Sequence, residues 1–94
     1  MSVKIFIKRK VQQENVLELT VLLKRLRTLT LGQDGYVSGE TLGRIDKNDE
    51  CMVISTWRSV GDWNRWVNDP KRIEVQTKID DILGEETEYA MYSA

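Results

Sequence analysis

The residues most able to do chemistry cluster around three tryptophans, Trp57, Trp63 and Trp66. An indole offers a flat apolar wall and one N–H donor, which suits it to hold an aromatic molecule and to hydrogen-bond an oxygen on it. Nearby in sequence, Asn64 and Gln76 are neutral groups able to donate to a ligand, and Glu40 is a carboxylate that follows Gly39. A glutamate buried beside a phenol would act as its base, because burial raises the proton affinity of a carboxylate. Each residue also has a plainer use. Tryptophans bury large areas and build cores, Asn64 and Gln76 suit solvent equally well, and Glu40 suits an exposed strand or a salt bridge across a dimer. Ser38, Thr41, Ser55 and Thr56 add hydroxyls, but a serine without a base is no nucleophile.

What the chain lacks narrows the field. It contains no histidine, which disfavours a triad hydrolase, a catalytic zinc site and a histidine-ligated haem. No metal or cofactor is therefore expected. The single cysteine, Cys51, has no partner for an internal disulfide and sits in the most apolar stretch, where it reads as a small buried hydrophobe. A formal net charge of −1 with dispersed charges favours neither nucleic acid nor an anionic membrane. Lys8-Arg9-Lys10 is a short basic run that on an edge strand would discourage aggregation. No apolar run is long enough to span a membrane, and Met1-Ser2-Val3-Lys4 leads directly into a strand, so a cytoplasmic protein is expected. The length of 94 residues fits one domain over 1–94.

The elements that must position these residues follow from periodicity. Val3, Ile5 and Ile7 alternate with Lys4, Phe6 and Lys8, a strand with one strongly apolar face. From Gln13 to Leu31, Val16, Leu19, Leu22, Leu23, Leu26 and Leu29 recur at threes and fours, which predicts an amphipathic helix ended by Gly32. Asp34-Gly35 turns the chain into a second strand over Tyr36–Ile45, weakened by Gly39 and Gly43. Asp46-Lys47-Asn48-Asp49-Glu50 reads as a hairpin loop into a third strand, Cys51–Trp57, antiparallel to the second. Ser59 caps a short helix with Asp62 at its third position, and Asn68-Asp69-Pro70 breaks it. Pro70 starts a further helix to Leu83, with Ile73, Ile79, Ile82 and Leu83 as its buried stripe, and Gly84 stops it. Thr87 to Ser93 forms the last strand.

This order, βαββαβ, predicts an α+β ferredoxin-like sandwich with the helices on one face of an antiparallel sheet. The third strand is apolar on both sides, with Cys51, Val53 and Trp57 on one face and Met52, Ile54 and Thr56 on the other. The helices cover only one face, so the second requires another cover. A symmetric homodimer packed sheet to sheet supplies it and forms a dimeric α/β barrel.

Asp34-Gly35-Tyr36-Val37-Ser38-Gly39-Glu40-Thr41-Leu42, then Ile54-Ser55-Thr56-Trp57-Arg58-Ser59, then Trp63 and Trp66, resembles the antibiotic biosynthesis monooxygenase family of dimeric α+β barrels. The resemblance spans nearly the whole chain, with Asp34 where the family often has proline. It implies a pocket between helices and sheet. In the cofactor-independent branch a phenolic or hydroquinone substrate is oxidised by oxygen, its own anion being the reductant. Trp57 matches the family tryptophan that donates to a substrate oxygen. The branch's asparagine falls at Val53 and its arginine at Gln76. In the haem-degrading branch Trp66 is matched, but the iron-ligating histidine also falls at Gln76, and the asparagine near Ile7 or Lys8 is absent. Other relatives handle small signalling aldehydes or sugars with pocket histidines that this chain lacks.

The resulting expectation is a cofactor-independent monooxygenase on an aromatic or quinol-type molecule. Trp57 and Trp66 would be its catalytic donors and walls, and Trp63, Asn64, Gln76 and Glu40 would bind substrate. The alternative is a non-catalytic small-molecule-binding or stress-related dimer in which the tryptophans are core.

Overall fold

The computed structural model describes residues 2–47 and 49–93; Met1, Asn48 of the expected hairpin loop, and Ala94 lie outside them. Along the chain run β1 (Val3–Lys10), a short 3-10 turn (Gln13–Asn15), α1 (Val16–Leu31), β2 (Tyr36–Gly43), β3 (Glu50–Trp57), α2 (Val60–Val67), α3 (Pro70–Leu83) and β4 (Glu88–Ser93). The strands form one sheet in the order β2-β3-β1-β4 with every pairing antiparallel. This is the ferredoxin-like α+β arrangement that the element order predicts.

The pleat decides what faces the helices. Val3, Ile5, Ile7 and Arg9 of β1 stand opposite Trp57, Ser55, Val53 and Cys51 of β3, so these eight share the covered face. Val3, Ile5, Ile7 and Trp57 pack there with Trp63 and Trp66 of α2. A second cluster joins Leu19 of α1 to Val75 and Ile79 of α3, where the two long helices touch. Phe6, Met52, Ile54 and Tyr92 alternate onto the other face, which no element among the described residues covers.

Three expectations change. Lys8-Arg9-Lys10 is not on an edge strand: β1 lies between β3 and β4, and Arg9 takes the next inward position after Ile7, 4% exposed. Ile73 is 47% exposed, because the buried stripe of α3 is Arg72, Val75, Gln76 and Ile79. One residue on a helix is a turn of about 100°, which carries Ile73 off that stripe. The helix expected from Gln13 begins as a 3-10 turn and becomes α-helical at Val16, which is 41% exposed.

The α2 helix is fixed at its start by reciprocal bonds. Ser59 Oγ accepts from the Asp62 backbone N–H at 3.2 Å and donates to Asp62 Oδ2 at 2.9 Å, the cap that their spacing predicts. Gly35 lies against the same carboxylate with φ of 84°, and a Cβ there would fall 2.3 Å from Asp62 Cγ. The turn into β2 and the start of α2 therefore meet at a point that admits only glycine. Gly35→Ala should lower stability by about 1–3 kcal/mol through the left-handed φ and the clash together. Urea unfolding measures it; an unchanged midpoint would show that the turn tolerates a side chain.

Candidate functional site

A pocket of about 260 Å³ opens between α1 and the covered face of the sheet. Ile7, Leu23, Leu26 and Val53 give it apolar walls, and Trp63 and Trp66 close one end. Its polar lining includes Ser55, the Tyr36 side, Cys51, Arg9 and Arg72. The size and the mostly apolar lining with a few convergent polar groups suit one small organic molecule.

Trp57 is the hub behind this pocket, not part of its lining. It is 0% exposed, lies edge-on to Tyr36 and Trp63 at ring separations of 5.4 and 5.7 Å, and is nearly parallel to Trp66 at 6.5 Å. Its Nε1–H donates to Ser55 Oγ at 2.7 Å. The hydroxyl it binds lines the pocket, so the indole reaches the cavity through serine. A hydroxyl that accepts a hydrogen bond becomes a stronger donor in turn.

Gln76 is also set back. Its Oε1 accepts from Arg9 Nη2 at 3.3 Å, and its Nε2 donates to Asp80 Oδ1 at 2.8 Å and Thr87 Oγ1 at 2.9 Å. All three of its bonds are internal, so it holds Arg9 in place and does not itself border the pocket. Asn64 is exposed on the outside of α2, away from the stripe of Trp63 and Trp66, and takes no part in the lining. Glu40 stands opposite Ile54, which the pleat places on the uncovered face; it meets the pocket only at the rim formed by Gly39, Glu40 and Thr41. Of the six residues expected to form the site, Trp63 and Trp66 line the cavity from α2 and Glu40 lies at its rim, while Trp57, Asn64 and Gln76 stand outside the lining. Thr41 and Ser55, named for their hydroxyls, also line it.

Two arginines escaped the sequence reading. Arg72 is 5% exposed and rests its guanidinium over the rings of Trp63 and Tyr89, at 5.7 and 5.4 Å from their centres. Its Nη2 donates to the Tyr89 hydroxyl and its Nη1 to Val67 O at 3.5 Å. Arg9 continues the inward register of Val3, Ile5 and Ile7, a signal that was available in the alternation. Burial pulls its guanidinium below the ordinary value, against the opposing influence of Tyr89 and Cys51. It stays charged at neutral pH, since arginine in a protein is not deprotonated. Burial likewise pushes the Cys51 thiol up, so it is no ready nucleophile. Gly39 leaves room for Tyr36, whose hydroxyl oxygen lies 2.4 Å from where a Cβ would stand. Among the described residues no group of acidic, cysteine or histidine side chains could hold a metal ion.

No protein-family model and no curated protein matches the sequence. Solved structures do match the fold. A conserved protein from Methanosarcina mazei Go1 superposes with a TM-score of 0.90 at 21% identity, over 98% of this chain and 91% of that one. SnoaB, a cofactor-independent oxygenase from Streptomyces nogalater, gives 0.86 at 18% identity over 99% and 92%. A further structure, described as an antibiotic biosynthesis monooxygenase, gives 0.86 at 10% identity over 98% and 97%. The chain thus has the fold of the antibiotic biosynthesis monooxygenases, and at these identities the likeness is one of fold.

The pocket tryptophans depend on the α2 cap, and that cap is sensitive to acid. Hydrogen bonds from Arg58 and then Ser59 hold the Asp62 carboxyl below the usual carboxylate range. A carboxyl depressed in the folded state stabilises above its unfolded value of about 4, and the benefit is lost as pH falls through the lower folded value. The stability advantage of wild type over Asp62→Asn should therefore be full at about pH 6 and shrink by about pH 3. Denaturant melts at both pH values test this; an equal gap at the two would remove the carboxylate's charge from the account.

Proposed function

We propose that the protein is a cofactor-independent oxygenase acting on an aromatic or quinol-type small molecule. The observation that carries this reading is the cavity of about 260 Å³ walled by Trp63 and Trp66, on a fold shared with a cofactor-independent oxygenase. An electron-rich aromatic anion supplies its own reducing electrons. For an anthrone-like substrate, a ring CH2 and O2 become a ring C=O and H2O: two C–H bonds break, one oxygen atom enters carbon, and the other leaves as water. The protein then needs only to favour the anion, exclude bulk water and orient the partners.

In this reading Trp63 and Trp66 stack against the substrate's flat body. Trp57 acts through Ser55, whose hydroxyl donates to a substrate oxygen while accepting from the indole. Gln76 positions Arg9, and Glu40 and Asn64 are left without a catalytic task. Oxygen electrodes give the test. Uptake with a dithranol or hydroquinone panel should be saturable, and Trp66→Ala should reduce kcat/KM at least about tenfold by removing a wall of the cavity. No uptake above the buffer rate with folded protein would favour a binding protein that uses the same pocket without chemistry.

The second element of the proposal is a homodimer. Phe6, Met52, Ile54 and Tyr92 present an apolar sheet face bordered by Lys4, Lys8, Glu50 and Glu88, with Phe6 and Tyr92 in edge contact at 5.1 Å. A second copy offers the same apolar centre and both signs of charge at its rim, which suits self-pairing about a two-fold axis. Light scattering on wild type should give twice the chain mass, and Ile54→Glu should give a monomer. A monomeric wild type would leave this face for another partner.

A further inference from the structure

We propose that the cavity's ligand carries a carboxylate, held by Arg9 and Arg72. The inference rests on the reading of the cavity as a small-molecule site and adds the chemical class of its polar end. Both arginines line the cavity, and both are more than nine-tenths buried, at 4% and 5% exposure. Among the described residues neither makes an ion pair, although each of Arg44, Arg58 and Arg65 at the surface does. Among the described residues the two buried guanidinium groups thus have no carboxylate against them.

Their existing contacts leave capacity unused. Arg9 Nε has no hydrogen-bond partner, and Nη2 has only the 3.3 Å bond to the neutral Gln76 amide. Arg72 has the Tyr89 hydroxyl, a long 3.5 Å bond to Val67 O and two ring faces, all of them uncharged. Asp80, the acid whose charge reaches Arg9, makes no ion pair with it and accepts at Oδ1 from Gln76 and from the hydroxyl and N–H of Thr87. Two buried like charges repel, and each is costly to desolvate unless an anion compensates it. A carboxylate answers both needs, because the planar guanidinium fork matches its two oxygens. The remainder of the lining, Leu23, Leu26, Val53, Trp63 and Trp66, is apolar. The class is therefore a compact apolar or aromatic body bearing one carboxylate.

Titration calorimetry of the protein at neutral pH tests this with four probes: 2-naphthoate, its neutral isostere 2-naphthamide, 2-naphthol and octanoate. The naphthoate should bind at least about tenfold tighter than the naphthamide, as a charge-assisted pair implies. Arg9→Gln and Arg72→Gln should each remove most of that preference while changing naphthamide affinity by less than about twofold. Should either variant be unfolded by circular dichroism, the lysine variant replaces it. Lysine keeps the charge but not the fork, so naphthoate should weaken more than naphthamide, and equal weakening overturns the assignment. Equal wild-type affinity for naphthoate and naphthamide also overturns it, and naphthol binding would then leave the aromatic pocket standing. Octanoate matching naphthoate, with the neutral probes silent, supports the arginine pair and removes the aromatic reading instead. Silence from all four overturns both.

Discussion

The burial of Trp57 is the contact on which the rest of the molecule depends. A tryptophan removed wholly from water contributes roughly 4–6 kcal/mol of apolar burial as an upper bound, and this one touches every layer. From the end of β3 it meets Tyr36 of β2, Trp63 and Trp66 of α2, and Val3 of β1 across the sheet. Such a position leaves one polar atom to satisfy, the indole N–H, and Ser55 two residues earlier on the same strand face does so. The cost of burying that group unpaired would offset part of the gain.

The short α2 helix carries much of the consequence. Eight residues are too few to be helical alone, and its order comes from the Ser59 and Asp62 cap at one end and two buried indoles along its inner face. The same indoles form a wall of the cavity. Packing and lining a cavity are thus not alternatives for Trp63 and Trp66, because both belong to the core cluster and to the cavity wall.

The polar part of the cavity is built differently, by a chain of neutral groups that support charge from behind. Thr87 and Gln76 bind Asp80, and Gln76 binds Arg9. The acid is thereby kept engaged at one remove from the guanidinium. Its field moderates the cost of burying Arg9 while the Nε of that arginine remains free. Such a network fixes a charge without neutralising it, which is what a site for an anion requires.

How much of this was legible before the coordinates depends on whether the determining pattern is local. The element order, the Ser59 cap, the Gly84 stop and the antiparallel pairing of β2 with β3 follow from periodicity and turn chemistry within a few residues. They sufficed to specify a ferredoxin-like α+β fold and an uncovered sheet face. The register of Arg9 was present in the alternation but masked by its charged neighbours Lys8 and Lys10. Gln76 was expected to meet a ligand directly and Arg72 drew no reading, because nothing local shows that Thr87 and Tyr89 of the following segment come to meet them. Glu40 and Asn64 were assigned by residue type; the pleat leaves Glu40 at the rim of the cavity, and the helix face turns Asn64 away from it. Sequence alone determined which elements form and which faces are apolar, since these are properties of neighbouring residues. Only the tertiary structure decided which polar groups lose water together, because desolvation and pairing depend on partners distant in the chain.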